Sequence, residues 1–173
     1  MTDEVVNNGS IKLLNMCKAL EYNQIMPYYD NLYHFTDERN ISSIKEKGLL
    51  SAAKLFAKYN MKFDVDFFPA SNRESRHWDT KLKLNNYIRL SGHMDHPMAK
   101  KAVEEKRIEK IAWIELDFDI IFDRRYEKKY SDLNANSKEA LINSDFKTFT
   151  SSHYTQSEVM VRGEIPITLL RFL

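Results

Sequence analysis

Between Gln156 and Val161 the chain reads Gln-Ser-Glu-Val-Met-Val, one carboxylate in an otherwise apolar, strand-like run. Successive side chains of a strand point to opposite faces, so Glu158 and Met160 share one face, and Ser157, Val159 and Val161 the other. A carboxylate buried on such a strand without partners is expensive. Two readings stay open. Glu158 lies on the exposed face of an edge strand, or it is held inside for chemistry. In the second case it acts as a general base, or as an acceptor that orients a ribose hydroxyl in a glycosyl-type transfer.

The rest of the chain divides into short segments of both kinds. Ser10 is placed to cap a helix through about residue 20. Residues 31–35 read as a strand, and Thr36 or Asp37 can cap the helix that follows. Ile41, Ile44 and Lys45 fall at helical spacing, and Lys45-Glu46-Lys47-Gly48 is a helix exit. Leu49-Leu50 returns to a strand or packs under one. Residues 52–59 have helical propensity, 63–68 alternate weakly, and Pro69-Ala70-Ser71-Asn72 is a turn. Residues 73–79 form a polar stretch around Trp78. A strand is expected over 84–90, a loop over 91–97 and a helix over 98–106. Residues 108–122 are strand territory, with 117–122 continuing as a second strand or a turn. Residues 124–129 carry both signs of charge and read as solvated surface. Residues 132–152 are polar and poorly periodic, with a helix expected around 137–142 and then a mobile loop. A strand follows over 157–163. Short strands and helices in mixed order predict an α+β domain, not regular βαβ alternation.

Composition excludes several classes. A chain of 173 residues can build one domain with a core. A formal net charge of +1 provides no global field toward nucleic acid or anionic lipid, although a local groove can still be basic. No apolar run is long enough to span a membrane. Met1-Thr2-Asp3-Glu4 lacks the basic and apolar parts of a secretory signal. The single Cys17 permits no internal disulfide. A reduced, cytoplasmic chain is the expectation. There is no HExxH, Walker A, Gly-x-Gly-x-x-Gly or Gly-x-Ser-x-Gly pattern. With only 4 glycines, a diphosphate would be met by side chains and helix ends.

Within Leu32-Tyr33-His34-Phe35-Thr36, strand geometry groups His34 with Leu32 and leaves Tyr33 and Phe35 facing away. The same position suits a structural histidine. Thr36 and the helix start beside it add a wall of donors suited to a nucleotide or its ribose hydroxyls. Arg73 and Arg76 carry the rigid fork that matches diphosphate oxygens, although a pair of surface arginines needs no function and Asp79 can pair with one of them. His93, Asp95 and His96 are metal ligands in kind. Their spacing lacks a further ligand at a recognisable offset, so a polar loop near a cleft is preferred and no metal is expected.

These blocks resemble the DarT-type DNA ADP-ribosyltransferase toxins of the ADP-ribosyltransferase superfamily. The resemblance rests first on Leu32 to Ile41 with Ile44 and Lys47-Gly48-Leu49-Leu50. It continues through Arg76 before Trp78 and Asp79, and through Asn86-Tyr87-Ile88-Arg89-Leu90 to His96-Pro97-Met98. It ends on Gln156 to Val161 followed by Ile165-Pro166. It covers residues 31–170 in order, with the first and last blocks the most specific. Departures are Arg89-Leu90-Ser91-Gly92-His93 in place of an aromatic-rich part, Asp95-His96 in place of an Arg before Ser-Pro-Met, and a thin basic run at His153-Tyr154-Thr155.

The resemblance implies a split, mixed β-sheet core with peripheral helices over residues 31–173, preceded by an N-terminal helical extension over 1–30. It implies NAD as co-substrate, contacted by His34, Phe35, Thr36, Asn40, Leu50, Arg73 and Arg76. Glu158 and Arg76 would be catalytic. Lys147, His153 and Tyr154 would meet the acceptor, with Lys138 and Phe149 as further candidates. The implied acceptor is a base in single-stranded DNA, with RNA or a protein side chain as alternatives, in a toxin or phage-defence effector with a macrodomain or other antitoxin. A catalytically silent binding module and an NAD glycohydrolase are the competing readings.

Overall fold

The computed structural model describes residues 29–62, 65–150 and 155–173. The chain divides into two units, 1–30 and 31–173. Nearly all of the first, including the helix expected after Ser10, lies outside the described residues.

The second unit is built on a seven-stranded sheet of order β6-β5-β7-β3-β1-β4-β9, with β2 and β8 as a separate pair. The strands are β1 (Asn31–Asp37), β2 (Leu49–Leu50), β3 (Tyr87–Ser91), β4 (Ile111–Asp117), β5 (Lys128–Ser131), β6 (Ile142–Asn143), β7 (Glu158–Arg162), β8 (Glu164–Ile165) and β9 (Arg171–Phe172). Among the described residues four α-helices flank them: α1 (Ile41–Lys47), α2 (Ala52–Tyr59), α3 (Arg73–Lys81) and α4 (Pro97–Glu104). The architecture is the expected α+β split sheet with peripheral helices, and each described pairing is antiparallel. No helix among the described residues is long and apolar enough to cross a membrane.

Alternation accounts for the centre of the sheet. In β4, Ile114 and Leu116 are fully buried while Ile111, Ala112 and Trp113 are half-buried, as a strand with one core face requires. β1 pairs with β4 along its whole length, from Asn31 opposite Asp117 to Asp37 opposite Ile111. β7 lies between β5 and β3, and Val159, Met160 and Val161 are all fully buried. Glu158 is therefore on an interior strand, which removes the edge-strand reading.

The turn chemistry around β1 is also local. The Asp37 side chain accepts the Arg39 backbone N–H at 2.9 Å, capping the short 3-10 turn Glu38–Asn40. It also accepts the Glu109 N–H at 2.8 Å, tying β1 to the approach of β4. The Arg39 guanidinium beside it holds its carboxyl down at about 2. α1 ends at Gly48 with φ +79, where a Cβ would stand 2.7 Å from the Ile165 carbonyl oxygen. Only glycine lets β2 leave the helix so close to β8.

The polar stretch after Asn72, for which no element was assigned, is a helix over 73–81, with Asn72 accepting the Ser75 N–H at 2.8 Å. Of the two alternatives for residues 117–122 the turn forms, as a 3-10 helix, Phe118–Ile121, capped by Asp117. One expectation is corrected. No α-helix forms at 137–142, where turns lead into β6 instead. The charged 124–129 stretch ends by entering β5, and the Lys128 ammonium donates to the Ile120 carbonyl at 3.4 Å.

Candidate active site

β1, β3 and β7 supply one wall of a cavity of about 220 Å³, and α1, α2, α3 and the 132–136 segment supply the others. His34, Phe35, Thr36, Asn40, Leu50, Arg76 and Glu158 all line it, so most of the residues singled out in the sequence meet in one place. Arg73 is exposed at the start of α3 and is not part of the lining. Lys147 is exposed in the 3-10 turn Phe146–Thr148, also outside the lining. His153 and Tyr154 lie outside the described residues. Phe149 is fully buried against Phe146, with ring centroids 5.9 Å apart, so it cannot offer a face to an external base.

His34 Nδ1 lies 2.9 Å from the Arg89 carbonyl oxygen. A carbonyl only accepts, so Nδ1 carries the proton and Nε2 of the neutral ring is an acceptor. Burial pushes the His34 pKa below its ordinary value, which favours that neutral form. Asn40 is 2% exposed and its amide is fully engaged. It donates to Thr36 Oγ1 at 2.9 Å and to the Phe68 carbonyl at 2.8 Å, and accepts the Phe68 N–H at 3.0 Å. It shapes the wall and leaves the Thr36 hydroxyl proton free to seek another acceptor. The Arg76 guanidinium lies under the cavity and donates to the Ser71 carbonyl at 2.7 Å.

Glu158 is 4% exposed and is held by donors from the 132–136 segment and from β3. Oε2 accepts the Ala135 N–H at 3.0 Å, and Oε1 accepts Asn134 Nδ2 at 3.2 Å. Arg89 Nη1 is 3.5 Å from Oε2. Strand register explains this last approach. Ser91 stands opposite Glu158 and Arg89 opposite Met160, so Arg89 is a diagonal neighbour of the carboxylate. Arg89 also bonds Asp79 and donates to Asn136 Oδ1 at 3.1 Å. Asp79 thus pairs with Arg89 rather than with Arg73 or Arg76. Burial pushes its carboxyl above the usual carboxylate range against the opposing pull of Arg89, and the nearby Glu158 charge adds to the rise. Such buried charge is tolerable because each member has a partner.

The polar side chains of the His93–His96 loop have protein partners. Asp95 pairs with Lys100, and His96 caps α4, accepting the Met98 N–H on Nδ1 at 3.3 Å. His96 is 1% exposed, and its ring stacks on Phe35 at 5.9 Å. Among the described residues no group of three or more His, Cys, Asp or Glu is placed to hold a metal ion.

Asn134 is absent from the sequence-based expectations, and Arg89, Asp79 and His96 appear there in other roles: a departure from the family pattern, a partner for Arg73 or Arg76, and a metal ligand in kind. A signal existed for Arg89, a lone charge in the apolar run Tyr87-Ile88-Arg89-Leu90, the same signal that marked Glu158. None existed for Asn134 or for the backbone of Ala135. Together the site offers a fixed carboxylate, a neutral imidazole acceptor, a hydroxyl and a guanidinium around a small, mostly apolar cleft. That set suits a sugar whose anomeric carbon gains positive charge in the transition state.

Comparison with known proteins agrees with this geometry. A model of a family of unknown function, DUF7002, matches residues 30–159. No functionally curated protein matches the chain. Among solved structures, Thermosipho africanus DarTG in complex with ADP-ribose superposes with a TM-score of 0.64 at 17% identity, covering 82% of this chain. The chain spans only 43% of that protein's length. Thermus sp. 2.9 DarT in complex with ADP-ribosylated ssDNA gives a TM-score of 0.60 at 12% identity, over 82% of this chain and 78% of that one. The same protein in complex with NAD+ gives 0.57 at 14% identity, over 82% and 79%. The fold is that of DarT, as the resemblance led us to expect.

Proposed function

The chain belongs to DUF7002, a family of unknown function, and from its site and fold we propose that it is an NAD-dependent mono-ADP-ribosyltransferase that modifies a base in single-stranded nucleic acid, DNA before RNA. The observation that carries the reading is Glu158. It is a buried carboxylate on an interior strand, facing a cleft that also holds His34, Thr36 and Arg76. Solved structures of this fold have been obtained with ADP-ribose, NAD+ and ADP-ribosylated ssDNA.

The side chains fit NAD as a substrate. A cavity of about 220 Å³ is below the roughly 300–1,000 Å³ of whole-ligand pockets, so the nicotinamide riboside end would enter and the adenosine end would lie across the rim. His34 Nε2 would accept from a ribose hydroxyl or the carboxamide, Thr36 would donate, and Arg76 would meet the diphosphate. Phe35 and Leu50 would supply apolar wall. In the reaction the bond between ribose C1′ and the nicotinamide nitrogen breaks, and nicotinamide leaves with the bonding pair. The acceptor atom bonds C1′ and gives up a proton. Glu158 would accept the 2′-hydroxyl hydrogen bond and stabilise the positive charge at C1′. Lys147, with His153 and Tyr154, would meet the acceptor, which an unpaired base reaches at least cost. A toxin or phage-defence role, with a macrodomain or other antitoxin, follows the same reading, as does action in the cytoplasm.

One observation favours a second reading. The Glu158 carboxylate is already engaged by Ala135, Asn134 and Arg89, as it would be in a silent binding module whose carboxylate is structural. Nicotinamide release from NAD, with and without single-stranded oligonucleotide, separates the two. Release stimulated by the single strand and weakly by duplex supports transfer. Release without any acceptor dependence indicates a glycohydrolase, and none at all indicates the silent module.

A further inference from the structure

His96 carries a polar atom with no hydrogen-bond partner among the described residues, the buried Nε2. The tautomer follows from its other nitrogen. Nδ1 accepts the Met98 N–H at 3.3 Å as the N-cap of α4, so the proton of the neutral ring sits on Nε2. That Nε2–H is 3.8 Å from Oε1 of Glu158, the oxygen that already accepts from Asn134. The ring cannot easily turn away, because it is 1% exposed and stacked on Phe35. A buried donor left unsatisfied costs about 1–3 kcal/mol, and polar groups of this kind call for a reason. A carboxylate oxygen has two lone-pair sites, and Asn134 occupies one on Oε1.

We propose that His96 is a positioning residue for Glu158, whose Nε2–H closes onto Oε1 when the carboxylate engages a substrate hydroxyl. The inference rests on the ADP-ribosyltransferase reading of the site. Hydrogen bonds of a catalytic carboxylate are often long before substrate binds and tighten in the reacting complex. A shift of under an ångström here would turn the contact into a hydrogen bond. The residue acts through Glu158 and has no contact of its own with the reacting atoms. The charged and titratable groups that face the carboxylate are His96 from the α4 cap, Arg89 from β3 and, behind Arg89, Asp79 from α3.

The cap and the donor can be separated. Asn is a strong N-cap, but it is too short to reach Glu158, so His96→Asn should keep α4 and lose the donor. The expected result is a melting temperature close to the parent's and a KM for NAD little changed. The kcat for nicotinamide release should fall roughly tenfold, the scale of one hydrogen bond to a charged group. An unchanged kcat would overturn the proposal, and so would a change confined to KM. A second readout needs no turnover. Long-range proton–nitrogen NMR of His96 should show the Nε2–H tautomer in the parent. In Glu158→Gln the Nε2 resonance should shift, because the negative neighbour 3.8 Å away is gone. A His96 signal indifferent to Glu158→Gln would overturn the proposal even if NAD is cleaved. A parent that does not cleave NAD would instead strike the functional reading and leave the NMR result to judge the pairing.

Discussion

Glu158 is both a chemical group and a structural tie, and its two obvious replacements should therefore behave differently. Glu158→Ala removes the acceptor for the Ala135 N–H at 3.0 Å and for Asn134 at 3.2 Å, and the counter-charge 3.5 Å from Arg89. Arg89 keeps Asp79 and Asn136, so the loss is partial on that side. Breaking a buried pair by deleting one partner costs about 3–5 kcal/mol. For a chain of this size that is roughly 6–20 °C in Tm. Glu158→Gln keeps the shape and one acceptor oxygen but turns an NH2 toward existing donors, at about 1–3 kcal/mol. On the proposed function it also removes the negative charge that would stabilise the positive sugar, which should lower kcat by about a hundred- to a thousandfold, the range for losing one preorganised electrostatic group. The assay is nicotinamide release normalised to folded protein from circular-dichroism melts. A folded Glu158→Gln that releases nicotinamide at the parental rate would refute the reasoning. A Glu158→Ala protein as stable as the parent would refute the structural half.

Three further outcomes are expected. Gly48→Ala should destabilise by about 1–3 kcal/mol, because a Cβ would meet the Ile165 carbonyl at 2.7 Å at a φ of +79; an unchanged thermal midpoint would contradict this. The Asp37 carboxyl is lowered from 3.8 to about 2, chiefly by its bond to Arg39. Its contribution to stability is thus fully present above about pH 4 and lost as the pH falls toward 2; urea melts of the parent and Asp37→Asn should converge over that window, and a gap independent of pH would count against it. Arg89→Met removes the cation that opposes the burial-driven rise of Asp79, so the Asp79 carboxyl should protonate at a higher pH than in the parent; an unmoved Asp79 midpoint in carboxyl NMR titrations would show that Arg89 does not hold it down.

Local features of the chain were legible and long-range ones were not. The strand before Asp37, the helix leaving through Gly48 and the late strand were visible because periodicity, capping and a positive-φ glycine are written in adjacent residues. His34, Thr36, Arg76 and Glu158 also converged, since the family pattern preserves their order. α3 was passed over because none of its residues is buried and so it has no apolar stripe, although Asn72 before Arg73-Glu74 was a cap signal. The 132–142 segment was misjudged because its turns are set by Glu158, more than twenty residues away in sequence, which Ala135 and Asn134 contact. Whether Glu158 was on an edge or an interior strand depended on β5 and β3 flanking it, a fact of topology with no local signature. Arg89 was noticed only as a departure, yet it joins the buried Glu158 carboxylate to the half-buried Asp79.

The proposed transfer of ADP-ribose from NAD to single-stranded nucleic acid through Glu158 is tested most directly by the fate of adenosine-labelled NAD incubated with separate pools of single-stranded DNA, RNA and protein, with folded Glu158→Gln in parallel. Label on the single-stranded DNA pool from the parent, and none from the variant, is the predicted result. Label on no pool, with no nicotinamide released, would contradict it.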